Sequence, residues 1–125
     1  MTTIYLIRHA EAEGNLYRRI HGWYDALTTT RGWLQIQALE RRFTDIPIDA
    51  VWSSPLFRTM ATARAIYRPR GLELHTHPGL RELHFGRWED RTFGDARYNC
   101  PQEMALFGRT DPTWQAPGGE TFQMA

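Results

Sequence analysis

IYLIRHAEAEGN, residues 4–15, is the stretch on which the reading of the fold turns. Ile4 to Ile7 form an unbroken apolar run, the pattern of a short strand covered on both faces. The run predicts a strand over Thr3–Ile7. Arg8 and His9 follow with no polar lead-in. A strand that runs straight into a guanidinium and an imidazole aims both past its carboxyl end. In parallel sheets that end is where ligands bind.

Outward from this stretch the chain alternates strand and helix signals. LTTTRGWLQIQALERRF predicts a helix with Thr28 as N-cap and an apolar stripe of Leu34, Ala38, Leu39 and Phe43. A second short strand is expected over Ala50–Ser53. A helix should follow, with Ser54 as cap and Pro55 at its first position. LELHTH (72–77) is a third strand candidate, and a weaker helical stretch lies within Phe93–Phe107. PGGETFQMA reads as a loop that starts a further helix. Such alternation implies crossover connections and a mostly parallel sheet with helices on its faces, in one domain over 1–125.

Three connections then converge on the crevice beyond the sheet. Arg8 and His9 end the first strand, Arg58 opens the helix after the second, and the RELHFG loop with Glu82 follows the third. Two arginines make a phosphate-shaped anion site. A neutral imidazole beside them can attack phosphorus. Glu82 is the carboxylate that topology places best to give the leaving oxygen a proton.

Composition sets the outer limits. The chain has 125 residues, 42% hydrophobic and 23% charged, with a formal net charge of +1, so no global field points to nucleic acid or a membrane surface. All 15 basic residues are Arg, which excludes lysine Schiff bases and Walker A loops. Cys100 stands alone, so no internal disulfide forms and a reducing compartment is expected. The first apolar run stops at Arg8, too short for a signal-peptide core or a membrane span. A soluble, cytoplasmic protein is the expectation.

The residues also resemble a family. LIRHAEAEGN is similar to the Arg-His signature of the histidine phosphatase superfamily, the phosphoglycerate-mutase-like fold. GWYDALTTTRGWLQIQAL, VWSSPLFRTMATA, LRELHFGRWED and PGGET resemble four further blocks of that family, in the same order between Ile4 and Thr121. Ala10 and Asp90 stand where many members have Gly. The resemblance implies a three-layer α/β/α fold, incomplete here, and no metal or organic cofactor. It implies His9 as the phosphorylated nucleophile, Arg8 and Arg58 as phosphoryl clamps, Asn15 as a further polar contact, and Glu82 as general acid and then base. It also implies a later strand, between the first two in the sheet, that carries a second phosphate-binding His; these 125 residues do not reach it. The chain is therefore expected to be a piece of a longer domain, weakly active or inactive alone, and open to self-association if another chain completes the sheet.

A small phosphorylated substrate is the expected partner. Phosphate monoester hydrolysis through phospho-His9 is the leading reading, because the segment after Glu82 is compact and lysine-free. Phosphoglycerate mutase-type transfer and a non-catalytic phosphate-binding scaffold are the alternatives. His21, Gly22 and Trp23 are candidate substrate-pocket residues. Arg18, Arg19 and His21 could face the substrate or be solvated loop charges, and Trp23, Trp88 and Trp114 could wall a leaving-group pocket or simply pack, as loop aromatics usually do. His75 and His77 share a strand face at chelating spacing, but with no third ligand in pattern they read as a surface pair. Cys100 lacks the downstream Arg spacing of a cysteine phosphatase loop and reads as structural.

Overall fold

The computed structural model describes residues 1–125. Its elements in chain order are α1 (Glu13–Tyr17), α2 (Thr30–Phe43), β1 (Val51–Ser53), α3 (Phe57–Tyr67), β2 (Leu74–Thr76), α4 (Phe93–Asn99) and α5 (Pro101–Gly108), with short 3₁₀ turns at Pro78–Leu80 and Gly86–Trp88. No helix is long and apolar enough to cross a membrane.

β1 and β2 pair in parallel, Val51 opposite Leu74 and Ser53 opposite Thr76, and α3 is the crossover between them. This is the expected α/β unit. It is smaller than the sequence predicts, because Thr3–Ile7 does not join it. No backbone hydrogen bond involves these residues, and Ile4 and Leu6 are 77% and 95% exposed. A β-strand exists only through a neighbour's N–H and C=O groups, and no described strand lies beside this segment. Only Tyr5 is held, edge-on against the Phe43 ring at 5.5 Å.

Helix starts differ from expectation by a residue or two. Thr29, not Thr28, caps α2, accepting the Gly32 N–H at 3.0 Å. The buried face of α2 is Gly32, Ile36 and Phe43, with Leu39 half-buried, while Leu34 and Ala38 face outward. The spacing of four, three and four is the true helical stripe. α3 starts at Phe57, so Pro55 precedes it. Ser54 turns its hydroxyl to the Leu56 N–H and to Thr59 Oγ1 and caps no helix N–H. The terminal PGGETFQMA forms turns rather than a helix, with Met124 and Ala125 both donating to the Thr121 carbonyl.

Two apolar clusters hold the fold. One, including Ala10, Ile36, Phe43, Ala61 and Ile66, packs α2 on α3. The other gathers Ile20, Leu83, Phe85, Trp88, Ala96 and Trp114 beneath α4 and α5. Trp88 and Trp114 are each 1% exposed and their rings lie 5.6 Å apart. They are core, not pocket wall. Loop position says nothing of burial, and a fully buried indole contributes several kcal/mol of packing.

Candidate active site

Helix α3 organises the site. Arg58 lies in its first turn and Thr62 one turn later, on the same face. The Thr62 hydroxyl accepts the Ala10 N–H at 2.9 Å and donates to the Arg58 carbonyl at 2.7 Å. His9 is thus fastened to α3 through the peptide that follows it.

The His9 ring is half-buried, with Nδ1 2.7 Å from the Ala10 carbonyl. A carbonyl only accepts, so Nδ1 carries the proton and Nε2 keeps its lone pair. Burial pushes the His9 pKa below its ordinary 6.5, and the positive charges of Arg58 and Arg8 push it the same way. The Ala10 hydrogen bond and the Glu82 carboxylate oppose them without reversing the shift. His9 is held as a neutral base with one free nitrogen.

Arg58 is only 3% exposed. Its guanidinium donates to the carbonyls of Gly22 at 2.8 Å, Tyr24 at 3.1 Å and, more weakly, His21 at 3.4 Å. Burial lowers its pKa, countered by the carboxylates of Glu82, Asp25 and Glu89. A guanidinium nevertheless stays charged. Arg58 therefore supplies positive charge and at the same time shapes the 21–24 segment. Arg8 is exposed.

Glu82 is exposed, and its Oε1 accepts the Leu83 N–H at 2.8 Å. Asn15 uses Oδ1 to accept the Ala12 N–H at 2.9 Å, closing the start of α1, which leaves its amide N–H groups free. His9 thus lies within range of the charges of Arg58, Arg8 and Glu82. Asn15 is a helix-capping residue with spare donors.

The substrate-pocket candidates divide. His21 has a side chain 7% exposed, donates from Nε2 to Asp90 Oδ1 at 3.0 Å, and stacks on Tyr24 at 4.6 Å. It borders a cavity of about 480 Å³ with Glu13, Tyr17, Arg19, Tyr24 and Asp90. Gly22 is buried, and a Cβ there would lie 2.1 Å from the Leu83 carbonyl. It is a close-approach glycine between two loops rather than a pocket surface. Trp23 is engaged by the Glu82 loop. Arg18 is exposed and its backbone takes the left-handed cap of α1, while the Arg19 guanidinium is engaged by Asp90.

Asp90 sits at φ +61°, the left-handed conformation that favours the glycine of the resembled segment. Its N–H donates to the Ile20 carbonyl at 2.8 Å, and its carboxylate faces His21 and Arg19. These bonds offset the strain. No group of three or more His, Cys, Asp or Glu is arranged to hold a metal ion. His75 stacks on Trp52, and His77 accepts the Gly79 N–H.

Sequence reasoning missed two residues that hold the site together. One is Thr62. The other is Glu89, whose Oε1 accepts the backbone N–H groups of Trp23 at 2.6 Å and Phe85 at 3.2 Å. Thr62 had a findable signal, four residues after Arg58 on one helical face. Glu89 had none, since its partners are 66 and 4 residues away.

Comparison with known proteins places this geometry. The sequence profile of the histidine phosphatase superfamily (branch 1) matches residues 4–125. The "Probable phosphoglycerate mutase GpmB" of Proteus mirabilis is 36% identical over 123 residues, covering 97% of this chain and 56% of the relative. The alpha-ribazole phosphatase structure from Shigella flexneri superposes with a TM-score of 0.85 at 31% identity, over 94% of this chain and 58% of that one. "Mycobacterial hydrolase 1" superposes with a TM-score of 0.82 at 28% identity, over 90% of this chain and 52% of that one. The chain spans about half the length of the relatives it matches, and its partial sheet corresponds to an incomplete α/β phosphoglycerate-mutase-like fold. An Arg-His pair carried on that fold, with a profile match over nearly the whole chain, makes this protein a member of the histidine phosphatase superfamily.

Proposed function

We propose that this site hydrolyses phosphate monoesters through a phosphohistidine on His9. The observation that carries the reading is the Nδ1–H to Ala10 carbonyl bond, which leaves Nε2 as an unprotonated nucleophile beside two arginines. His9 Nε2 attacks phosphorus, and the ester P–O bond breaks. The protonated Glu82 carboxyl gives its proton to the departing alkoxide. Water then loses a proton to the Glu82 carboxylate and attacks phosphorus. The P–N bond breaks, releasing inorganic phosphate and restoring His9. Arg8 and Arg58 lower the energy of the phosphoryl oxygens in both steps, and the free Asn15 amide is a further donor to them.

Hydrolysis is favoured over mutase-type transfer by the segment from Glu82 to Thr92. It is short, lysine-free and clipped to residues 19–23 by Asp90 and Glu89, so it contributes no long cationic arm for a second phosphate. A small phosphorylated substrate is the partner this site fits. The test is turnover of aryl and alkyl phosphates by wild type and His9→Ala. Phosphate release that His9→Ala abolishes supports hydrolysis. Transfer to phosphoglycerate without phosphate release would support the mutase, and neither activity would support a phosphate-binding scaffold.

A further inference from the structure

A carboxylate on an exposed loop has no fixed address, yet a general acid needs one. The Glu82 loop is clamped two residues on, where the His84 N–H and carbonyl both pair with Glu120, and around Glu82 itself Trp23 adds the cross-loop contacts. The Trp23 indole Nε1–H donates to the Glu82 carbonyl at 2.9 Å. The Arg81 guanidinium carbon lies 3.5 Å from the centre of the same ring system, and the His84 ring 4.4 Å away at a tilt of 34°. One side chain therefore engages the residue before Glu82, Glu82 itself and the residue two beyond. A cation over an indole and an imidazole tilted against it are both attractive contacts.

Trp23 is itself anchored. Its N–H goes to Glu89 at 2.6 Å, and the neighbouring Gly22 carbonyl is held by Arg58. Arg58 stands one turn before Thr62, which fixes the peptide after His9. Both reacting groups thus hang from helix α3. His9 is tied through Thr62, and Glu82 through Arg58, residues 22–23 and the Trp23 indole.

We propose that Trp23 is a positioning residue for Glu82 that sets the acid's register against His9, rather than a wall of the substrate pocket. The proposal rests on Glu82 acting as the proton donor. Trp23→Phe keeps a ring for Arg81 and His84 but removes the N–H donor.

The experiment measures a leaving-group series of aryl and alkyl phosphates in wild type, Glu82→Gln, Trp23→Phe and the double variant, with vanadate inhibition alongside. Glu82→Gln should slow poor leaving groups selectively. Trp23→Phe should copy that selectivity with a kcat loss on the order of tenfold for poor leaving groups. Its KM and vanadate inhibition should stay near wild type. The double variant should be no slower than Glu82→Gln alone. Equal slowing of good and poor leaving groups by Trp23→Phe, a raised KM, or additive losses in the double variant would overturn the proposal. If Glu82→Gln shows no selectivity, the acid assignment itself falls, a result distinct from the failure of Trp23.

A readout independent of turnover is hydrogen exchange of the Trp23 and Trp52 indole N–H groups. Trp23 should be protected relative to the exposed Trp52. Equal exchange would also refute the proposal.

Discussion

Thr62→Val tests whether α3 organises the site. Valine matches threonine in shape and substitutes a methyl for the hydroxyl. Thr62 is 5% exposed and Ala10 7%, so water does not readily replace the lost group. The Ala10 N–H then lacks an acceptor, which costs about 1–3 kcal/mol. The Arg58 carbonyl loses little, since within the helix it still faces the backbone N–H one turn on. A loss of about 2 kcal/mol is therefore expected. Thr62→Ser keeps the hydroxyl and deletes one methyl, a loss of about 1 kcal/mol. The catalytic effect should be ordered the same way. With the Ala10 peptide unfastened, His9 loses its aim, and kcat should fall on the order of 10²-fold for a displacement of about 1 Å. The assay is urea unfolding followed by tryptophan fluorescence, with phosphatase turnover on the same samples. If Thr62→Ser is as damaging as Thr62→Val in both measurements, the hydroxyl is not the tether.

Other outcomes follow from the same geometry. Arg58→Ala should weaken vanadate binding and also lower stability by about 3 kcal/mol, because two well-formed charge-assisted bonds to the Gly22 and Tyr24 carbonyls are lost; a variant with unchanged unfolding or unchanged vanadate inhibition would contradict this dual role. The depressed His9 pKa places the acid limb of kcat/KM below pH 6.5. Because the folded state favours neutral His9, its contribution to stability is present above 6.5 and lost as pH falls through the lowered value. Arg58→Gln, which removes a positive charge near the ring, should move the acid limb to higher pH, and a limb that stays in place or moves lower would count against the coupling. Trp114→Ala should cost about 3–5 kcal/mol as a core truncation, read by thermal unfolding, and a loss under 1 kcal/mol would return Trp114 to the surface. Backbone amides of Tyr5 and Leu6 should exchange at near-unfolded rates in this chain, and protection there would reveal a partner on the segment, as self-association would supply.

How far the sequence reaches depends on how local the determinant is. Arg58 falls in the first helical turn where the sequence puts it, whereas Arg8 and His9 follow a segment that forms no strand here and are fastened instead through the Ala10 N–H to Thr62. β1, α3 and β2 were legible from short apolar runs and punctuation, to within a residue or two. Thr3–Ile7 was legible as an apolar run but not as a strand, because pairing depends on residues far away in the chain. The sequence left Trp88 and Trp114 open between pocket and core, since an aromatic in an irregular segment looks the same whether it lines a pocket or fills a core. Asn15 was legible as polar but not as a cap. Trp23 and Glu89 act through partners 59 and 66 residues distant, and no spacing rule encodes such contacts.

The central claim is that His9 attacks through Nε2 because Nδ1 is committed to the Ala10 carbonyl. The direct measurement is to mix the protein with a labelled phosphate monoester and quench in base. The labelled residue is then mapped, and the phosphorylated ring nitrogen identified by nitrogen–phosphorus coupling in NMR. The account predicts an acid-labile, base-stable phosphoryl group on His9 Nε2, absent from His9→Ala. A phosphoryl group on Nδ1, on another residue, or undiminished in His9→Ala would contradict it.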